Sequence, residues 1–115
     1  MDTSGEARQP AKKKQLSREA GIALFWRFTA HQASLKDSER LHNIKVGFPA
    51  ELIPAFRLAF DLQKRQLETL FNASVSTLER RRRERKNLDP IASERLDRIA
   101  TVSHLAEEIF ETQMI

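Results

Sequence analysis

The apolar residues of this chain recur at helical rather than strand-like intervals. One buried helical stripe, with i, i+4, i+7, i+8 spacing, is predicted for Leu52, Phe56, Ala59 and Phe60. A second stripe near the C-terminus repeats every three or four residues, at Leu96, Ile99, Val102 or Ser103, Ala106, Ile109 and Phe110. No segment alternates apolar and polar residues as a half-buried strand does. The pattern therefore predicts an all-α fold, a small helical bundle with a long C-terminal helix.

The first predicted helix begins at Ser17, whose hydroxyl can cap it, and ends near Gln32. Its apolar residues lie on more than one side, namely at Ile22, Leu24, Phe25, Trp26 and Phe28. Such a helix is either central to the core of one subunit or pressed against a partner, and the first arrangement is the more common. Gly21 weakens the helix by about 1 kcal/mol relative to Ala, so tertiary contacts must hold it.

Two shorter helices follow a connection at residues 33–36. The first begins at Asp37 or Ser38 and ends at Gly47, a natural C-terminal stop. The next is expected to begin at Pro49, because the first helical position does not need an N–H. Pro54 must then lie in a first turn, or the helix kinks.

Residues 64–85 have the pattern of two helices joined by a short turn. Leu67, Leu70 and Phe71 mark the first of these helices. The break at residues 72–74 ends in Ser74, which can cap a helix reaching about Arg85. In this second helix only Leu78 is a clear core residue. A last helix is predicted to start at Asp89 followed by Pro90, a cap residue and then proline at the first helical position.

The ends of the chain differ in composition from its centre. Residues 1–15 contain no Phe, Leu, Ile or Val and cannot bury enough surface to offset their ordering entropy. They are therefore interpreted as a disordered basic arm, whose lysines either follow a DNA backbone or are simply solvated. Residues 16–112 form the predicted helical domain, and residues 113–115 a tail.

Charge is more informative in its distribution than in its total. The 115 residues include 20 Lys and Arg against 16 Asp and Glu, a formal net charge of +4. The excess lies in two clusters, one in the arm and one at residues 80–86. Such clustering is typical of a polyanion partner, although a solvated helix face has the same composition.

A capped second helix that carries basic residues favours double-stranded DNA as that partner. In a helix-turn-helix, short polar side chains at the start of this helix reach base edges in the major groove. Here they are Ser74, Ser76 and Thr77, with Val75 available for a thymine methyl. Thr77 is as well explained by a packing or capping role. Arg80 and Arg81, nearest to the turn, are the best candidates for DNA contacts.

The four consecutive arginines cannot all face the DNA, because they span about 300° of the helix circumference. Arg82, Arg83 and Arg85 either contact flanking phosphates or pair with nearby acids such as Glu79 and Glu84. Arg82 is included among the predicted DNA contacts.

Four segments occur in a fixed order along the chain, namely Gly47-Phe48-Pro49-Ala50, Leu67-x-x-Leu70, Ser74-x-x-Thr77-Leu78-x-Arg80-Arg81 and Leu88-Asp89-Pro90-x-x-Ser93-Glu94-Arg95-Leu96-x-Arg98-Ile99-Ala100. Together they resemble a known family, the Xre/ParS-type antitoxins that partner RES-domain toxins. The segment Leu35–Ile44 also resembles the short helix that precedes the Gly-x-Pro of this family, and the resemblance covers about residues 35–110. The resemblance implies a dimeric, Xre-like helix-turn-helix protein that represses its own operon and neutralises a cognate toxin, typically one that attacks NAD.

The chain departs from the family pattern in two ways. Such antitoxins continue beyond the stretch at residues 107–110 into a toxin-binding domain, which this sequence does not include, so the chain is expected to be either a fragment or a variant that lacks that domain. In addition, Gln63 stands where the family usually has a Ser or Thr cap, which weakens the start of that helix by up to about 1 kcal/mol.

No pattern in the chain favours an enzyme. The three histidines are scattered, no serine lies in a G-x-S-x-G turn, and three glycines do not form a phosphate loop. Neither a metal nor a cofactor is predicted. The longest apolar stretch, residues 20–26, is too short to span a membrane, and a cytoplasmic location is expected.

The main alternative is an adaptor whose basic helix binds a toxin or another acidic partner without specific DNA recognition. RNA binding is disfavoured because no aromatic residue lies between Phe71 and Phe110 to stack on bases. A homodimer is expected, since one helix-turn-helix reads only a few base pairs. Its interface is either the helix with Ile22–Phe28 or the stripe at Leu96–Phe110.

Overall fold

The computed structural model describes the backbone of residues 3–114 and the side chains of residues 17–111. The described residues form six helices, and the prediction of an all-α fold is confirmed. Their bounds are α1 Thr3–Ser34, α2 Asp37–Val46, α3 Leu52–Phe60, α4 Lys64–Phe71, α5 Val75–Arg83 and α6 Pro90–Met114. Within residues 3–114 the only β pairing is one isolated bridge between Pro49 and Asn87.

Helix α1 begins at Thr3 and not at Ser17, so the predicted start of this helix is wrong. Residues 3–15, predicted as a disordered arm, form its first turns. Their sequence is rich in Ala, Lys, Arg and Gln, which are strong helix formers. A helix already held by packing further along the chain needs no new nucleation to extend into these residues, although Gly5 and Pro10 in this stretch have low helix propensity. The partners predicted for the side chains of the arm lie outside the described residues.

An aromatic cluster on the inner side of α1 forms the centre of the core. Phe25 is fully buried, and its ring lies 5.4 Å from that of Phe56 and 5.5 Å from that of Phe60. Phe56 in turn contacts Phe71 of α4, with centroids 5.9 Å apart. The segment Ile22–Phe28 therefore packs mainly in the core of this chain.

Helices α1 and α3 approach closely at Gly21. A Cβ atom at this position would lie 2.7 Å from Cδ1 of Leu58, well inside van der Waals contact. The absence of a side chain thus lets α3 pack directly on α1. This contact compensates for the low helix propensity of glycine.

A buried carboxylate connects α6 to the first two helices. Asp97 is 5% exposed and accepts hydrogen bonds from Gln32 at 2.8 Å and from the Arg40 guanidinium at 2.7 Å. The hydrogen bond and the charge of Asp97 raise the pKa of Arg40 above its ordinary value. A buried charge is tolerated only when it is paired in this way, so the three helices are held in one arrangement.

The connection between α2 and α3 is joined to the connection between α5 and α6. Gly47 ends α2 with φ of +94°, and a Cβ atom there would overlap the carbonyl oxygen of Leu88. Next to it, the Leu88 N–H donates to the Phe48 carbonyl at 2.8 Å, and the Phe48 N–H donates to Ser93 Oγ at 3.0 Å. The predicted stop at Gly47 is confirmed.

Helix α3 begins at Leu52, so the predicted start at Pro49 is wrong. Pro49 instead belongs to the bridge with Asn87 that follows the Gly47 turn. Pro54 lies in the first turn of α3, which is one of the two alternatives that the sequence left open.

Helix α6 has two halves of different character. At its start the Asp89 carboxylate accepts the Ala92 N–H at 2.7 Å, which confirms the predicted cap. Leu96 and Ala100 are fully buried, whereas Val102, Ile109 and Phe110 are exposed, although they continue the predicted apolar stripe. No helix within the described part of the chain has the length and apolar character needed to cross a membrane.

Candidate nucleic-acid interface

Helices α4 and α5 and the turn between them form a helix-turn-helix, with the boundaries that the sequence predicts at the turn. Asn72 ends α4 in the left-handed conformation, with φ of +48°. Asn adopts this conformation more readily than most residues, because its short side chain tolerates it. Leu67, Phe71 and Leu78 are buried on the inner side of the unit. Arg95 of α6 donates to the Leu70 carbonyl at 2.9 Å, at the end of α4.

The N-terminus of α5 is capped twice by the protein itself. Ser74 Oγ accepts the Thr77 N–H at 3.2 Å and lies 2.9 Å from the Thr77 hydroxyl. The Glu68 carboxylate of α4 accepts the Val75 N–H at 2.8 Å. Two of the amides that a bare helix end would offer to a phosphate are therefore satisfied within the chain. The geometry favours the capping role for Thr77.

Not every short side chain at this end is free to contact a ligand. The Val75 side chain is partly buried and packs against the core. Ser74 is exposed but engaged in the cap, whereas Ser76 is exposed and its side chain forms no hydrogen bond with another described residue. Of the four predicted residues at the start of α5, Ser76 is thus the one with an unengaged polar group directed outward.

The outward face of α5 consists of Ser76, Arg80 and Arg83. These positions are spaced four and three residues apart, which places them on one side of the helix. They lie opposite Leu78, which is 5% exposed and anchors the other side in the core. All three are exposed, and among the described residues neither arginine forms a salt bridge. The face therefore presents one hydroxyl and two unpaired guanidinium groups to the surroundings.

The two intervening arginines lie on the flanks of α5 and have partners. Arg81 donates from Nη1 to the Asn87 carbonyl at 3.1 Å, across the turn that leads to α6. Arg82 pairs with Glu79, one turn earlier, at 2.9 Å. The hydrogen bond and charge of Glu79 raise the pKa of Arg82 above its ordinary value. Both were predicted as DNA contacts, but neither lies on the face of Ser76.

A family model for the antitoxin Xre-like helix-turn-helix domain matches residues 39–100 of this chain. The chain belongs to this family. The match runs from α2 into α6 and so includes the whole helix-turn-helix together with the joint at Gly47. This is a family of DNA-binding antitoxin regulators. No curated protein and no solved structure gives a significant match.

The helix that carries the outward face in this Xre-like domain is shorter than predicted. It ends at Arg83, and Arg85 adopts a left-handed conformation with φ of +55°. Lys86 forms an ion pair with Glu84 at 2.9 Å and, with Arg80 and Arg81, lowers the pKa of that carboxyl below its ordinary value. The basic run thus extends beyond the helix into the turn.

Two further cations of the Xre-like domain lie at the start of α4. Lys64 and Arg65 are exposed and flank the beginning of that helix. Gln66 accepts the Gln63 N–H at 2.8 Å, which partly replaces the missing Ser or Thr cap. Sequence reasoning concentrated on α5 and did not include this pair, although two adjacent cations at a helix start were visible in the sequence. No group of His, Asp and Glu among the described residues could hold a metal ion.

Proposed function

We propose that this chain is an antitoxin-like transcriptional repressor of a type II toxin–antitoxin operon that binds its operator through α5. One observation carries the proposal: the outward face of α5 presents Ser76, Arg80 and Arg83 opposite a buried anchor. A helix of this kind fits the major groove, with its first turn at the base edges. Family membership supports DNA as the ligand.

Each residue of the face has a distinct role in this proposal. Ser76, in the first turn of α5, reads a base edge with its hydroxyl. Arg80, one turn further, contacts a phosphate or a guanine, and Arg83 contacts the flanking phosphate. Lys64 and Arg65 then approach the backbone on the other side of the groove, since the first helix of such a unit crosses the backbone.

The proposal includes a homodimer and a toxin partner. A dimer places two copies of α5 about one helical turn of DNA apart, which multiplies the few base pairs read by one copy. A RES-type toxin is the partner suggested by the sequence resemblance. Repression would take place in the cytoplasm and requires no cofactor.

The test is a fluorescence-anisotropy titration of the purified chain at about 150 mM salt, because affinities for DNA depend on salt. Labelled duplex from the region upstream of its own gene is compared with a scrambled duplex of equal length. We expect a preference of about 10³-fold or more for the native duplex. Ser76→Ala should reduce this preference more than it reduces overall affinity.

Equal and strongly salt-dependent binding to both duplexes would contradict the proposal. Such a result would mean that the arginines bind any DNA through charge alone. It would favour the alternative function, an adaptor that binds an acidic protein partner.

A further inference from the structure

The second half of α6 carries large apolar side chains that contact solvent. Val102, Leu105, Ile109 and Phe110 are between 51% and 68% exposed. Val102, Leu105 and Ile109 recur at intervals of three and four residues, and Phe110 adjoins Ile109 at one edge, so the four form one continuous strip, which we call the distal face. Single exposed apolar residues are common on protein surfaces, but a continuous strip is typical of an interaction site.

The distal face continues into an apolar groove between α6 and the helices α3 and α4. The groove has a volume of about 510 Å³, and its walls include Phe60, Leu62, Leu70 and Ile99. Val102 belongs to both the groove and the distal face. The groove is large enough for an aromatic side chain from another molecule.

The two edges of the distal face differ in chemistry. One edge carries Arg98, Leu105 and Glu108, so it has a cation at one end and an anion at the other. Within the chain Arg98 pairs with Glu94 at 2.8 Å and Glu108 with His104 at 3.2 Å. Such i,i+4 pairs on a helix surface contribute little, so a docked copy can exchange them for pairs across the interface. Arg98 also borders the groove. The opposite edge carries Ile99, Ala106 and Phe110, with the groove beside Ile99 and the exposed phenyl ring at the other end. The two ends of each edge are therefore complementary: opposite charges on the first edge, and a groove and an aromatic ring on the second.

We infer that a second copy of this chain docks on the distal face with its α6 antiparallel to the first. A two-fold axis perpendicular to the two helices brings like edges together with their ends exchanged. Arg98 of each copy then meets Glu108 of the other, and Phe110 of each enters the groove beside Ile99 of the other. The inference rests on the proposed dimeric DNA binding and names the surface that produces it.

The two edges independently locate the axis at nearly the same point. The midpoint between positions 98 and 108 is 103, and the midpoint between 99 and 110 lies between 104 and 105. A parallel two-fold pair would instead bring unlike edges together, so the charged edge of each copy would face the edge of Ile99 and Phe110 of the other and Arg98 would not meet Glu108, which is unfavourable. Both the charges and the groove thus favour the antiparallel arrangement.

The first test is sedimentation velocity of the full chain over a range of concentrations, with and without Phe110→Asp. We expect the wild type to be a dimer at micromolar concentration. An aromatic side chain in a pocket is a typical hot spot, so the substitution should raise the dissociation constant by about 30-fold or more. The matched control is Leu41→Asp, at another exposed apolar position, on α2, which should change the dissociation constant by less than about two-fold.

A charge exchange tests the antiparallel register. Arg98→Glu and Glu108→Arg should each weaken the dimer by about 3- to 30-fold, because every pair occurs twice in a symmetric interface. The double variant should recover to within about three-fold of the wild type. Circular dichroism serves to check that each variant stays folded. Failure of the double variant to recover would overturn the proposed register.

Cysteine crosslinking measures the orientation directly, since the chain has no cysteine of its own. Leu105→Cys lies near the axis and should give a covalent dimer with a short bis-maleimide. Ile91→Cys should not give a covalent dimer. Position 91 lies thirteen helical residues from the axis in each copy, so the two introduced cysteines would be about 40 Å apart. Crosslinking through position 91, whether or not position 105 also reacts, would overturn the antiparallel arrangement, because only a parallel pair brings both copies of position 91 together.

The outcomes distinguish this inference from the proposed function. A wild-type chain that prefers its own operator and forms a dimer unaffected by Phe110→Asp overturns the inference and leaves the proposed function intact. A chain that prefers its own operator but is monomeric in solution overturns the inference and the dimer of the proposed function, and leaves only the recognition of DNA by α5. A dimer that dissociates on Phe110→Asp, from a chain that does not prefer its own operator, supports the inference and removes the proposed function.

Discussion

Arginines lie both on the outward face of α5 and on its two flanks, but only those on the flanks have partners within the described part of the chain. On the outward face, Arg80 and Arg83 have no salt-bridge partner among the described residues. On the flanks, Arg81 is bound to the Asn87 carbonyl and Arg82 to Glu79. Four consecutive arginines therefore comprise two that are available to a polyanion and two that stabilise the domain.

The difference arises from the 100° rotation between successive helical residues. Because Leu78 fixes which side of α5 is buried, the direction of every other side chain follows from it. The comparison implies that a run of like charges in a short helix should be divided by face before a function is assigned to it.

The largest change in stability is expected on substitution of Leu78, the buried residue that fixes the orientation of α5. Leu78→Ala should lower the free energy of unfolding by about 2–5 kcal/mol, since it removes a buried side chain and leaves a cavity. Urea denaturation measures the change. Ser76→Ala on the opposite side should alter stability by less than about 0.5 kcal/mol. A loss under about 1 kcal/mol for Leu78→Ala would mean that the inner side of α5 is misassigned.

The next largest effect is a loss of DNA affinity, which should be greater for arginines on the outward face than for those on the flanks. Arg80→Ala and Arg83→Ala should each weaken operator binding by about 1–3 kcal/mol and reduce the salt dependence. The matched pair Arg81→Ala and Arg82→Ala should cost less, although the total charge removed is the same. Equal losses for the two pairs in anisotropy titrations would show that only net charge matters.

A smaller effect is expected for the hydrogen bond between Arg81 and Asn87. Arg81→Ala should destabilise the fold by about 1 kcal/mol, because the carbonyl of the turn into α6 loses its donor. Arg83→Ala removes the same side chain from the outward face and should change stability by less than about 0.5 kcal/mol. Thermal melts of both variants provide the measurement, and the reverse order of stability would contradict the division into faces.

The smallest effect is expected for the pair of Arg82 and Glu79. Both side chains are partly exposed, so solvent screens their attraction, and Arg82→Ala should cost between about 0 and 1 kcal/mol. A double-mutant cycle with Glu79→Ala isolates the pair. A coupling energy well above 1 kcal/mol would show that this flank is more important to the fold than its exposure indicates.

Much of the fold could be predicted because its signals are local. Gly47, Ser74 and the Asp89–Pro90 pair mark helix ends through their own backbone preferences, and each lies where the sequence predicts it. The two wrong helix starts show that a residue suited to begin a helix need not begin one. Ser17 does not, because the preceding residues also form a helix. Pro49 does not, because it pairs with Asn87 instead.

The candidate site was less predictable, because contacts with residues distant in the sequence decide which side chains of α5 are engaged and which are available to a ligand. That Arg81 is engaged follows from the position of the Asn87 carbonyl, and the capping of Val75 follows from Glu68 on another helix. Neither contact has a signature in the sequence. The phase of α5, in contrast, followed from Leu78 alone, and it already places Arg83 beside Arg80.

The joint at Gly47 has a consequence for how operator preference can change during evolution. The backbone bonds between Phe48 and Leu88 and the contact of Gly47 with Leu88 fix the loop that follows α5, without any side chain of its outward face. Substitutions at positions 76, 80 and 83 therefore leave the scaffold undisturbed. In the proposed function, chains that differ at these three positions would therefore bind different DNA sequences while they keep the same folded framework.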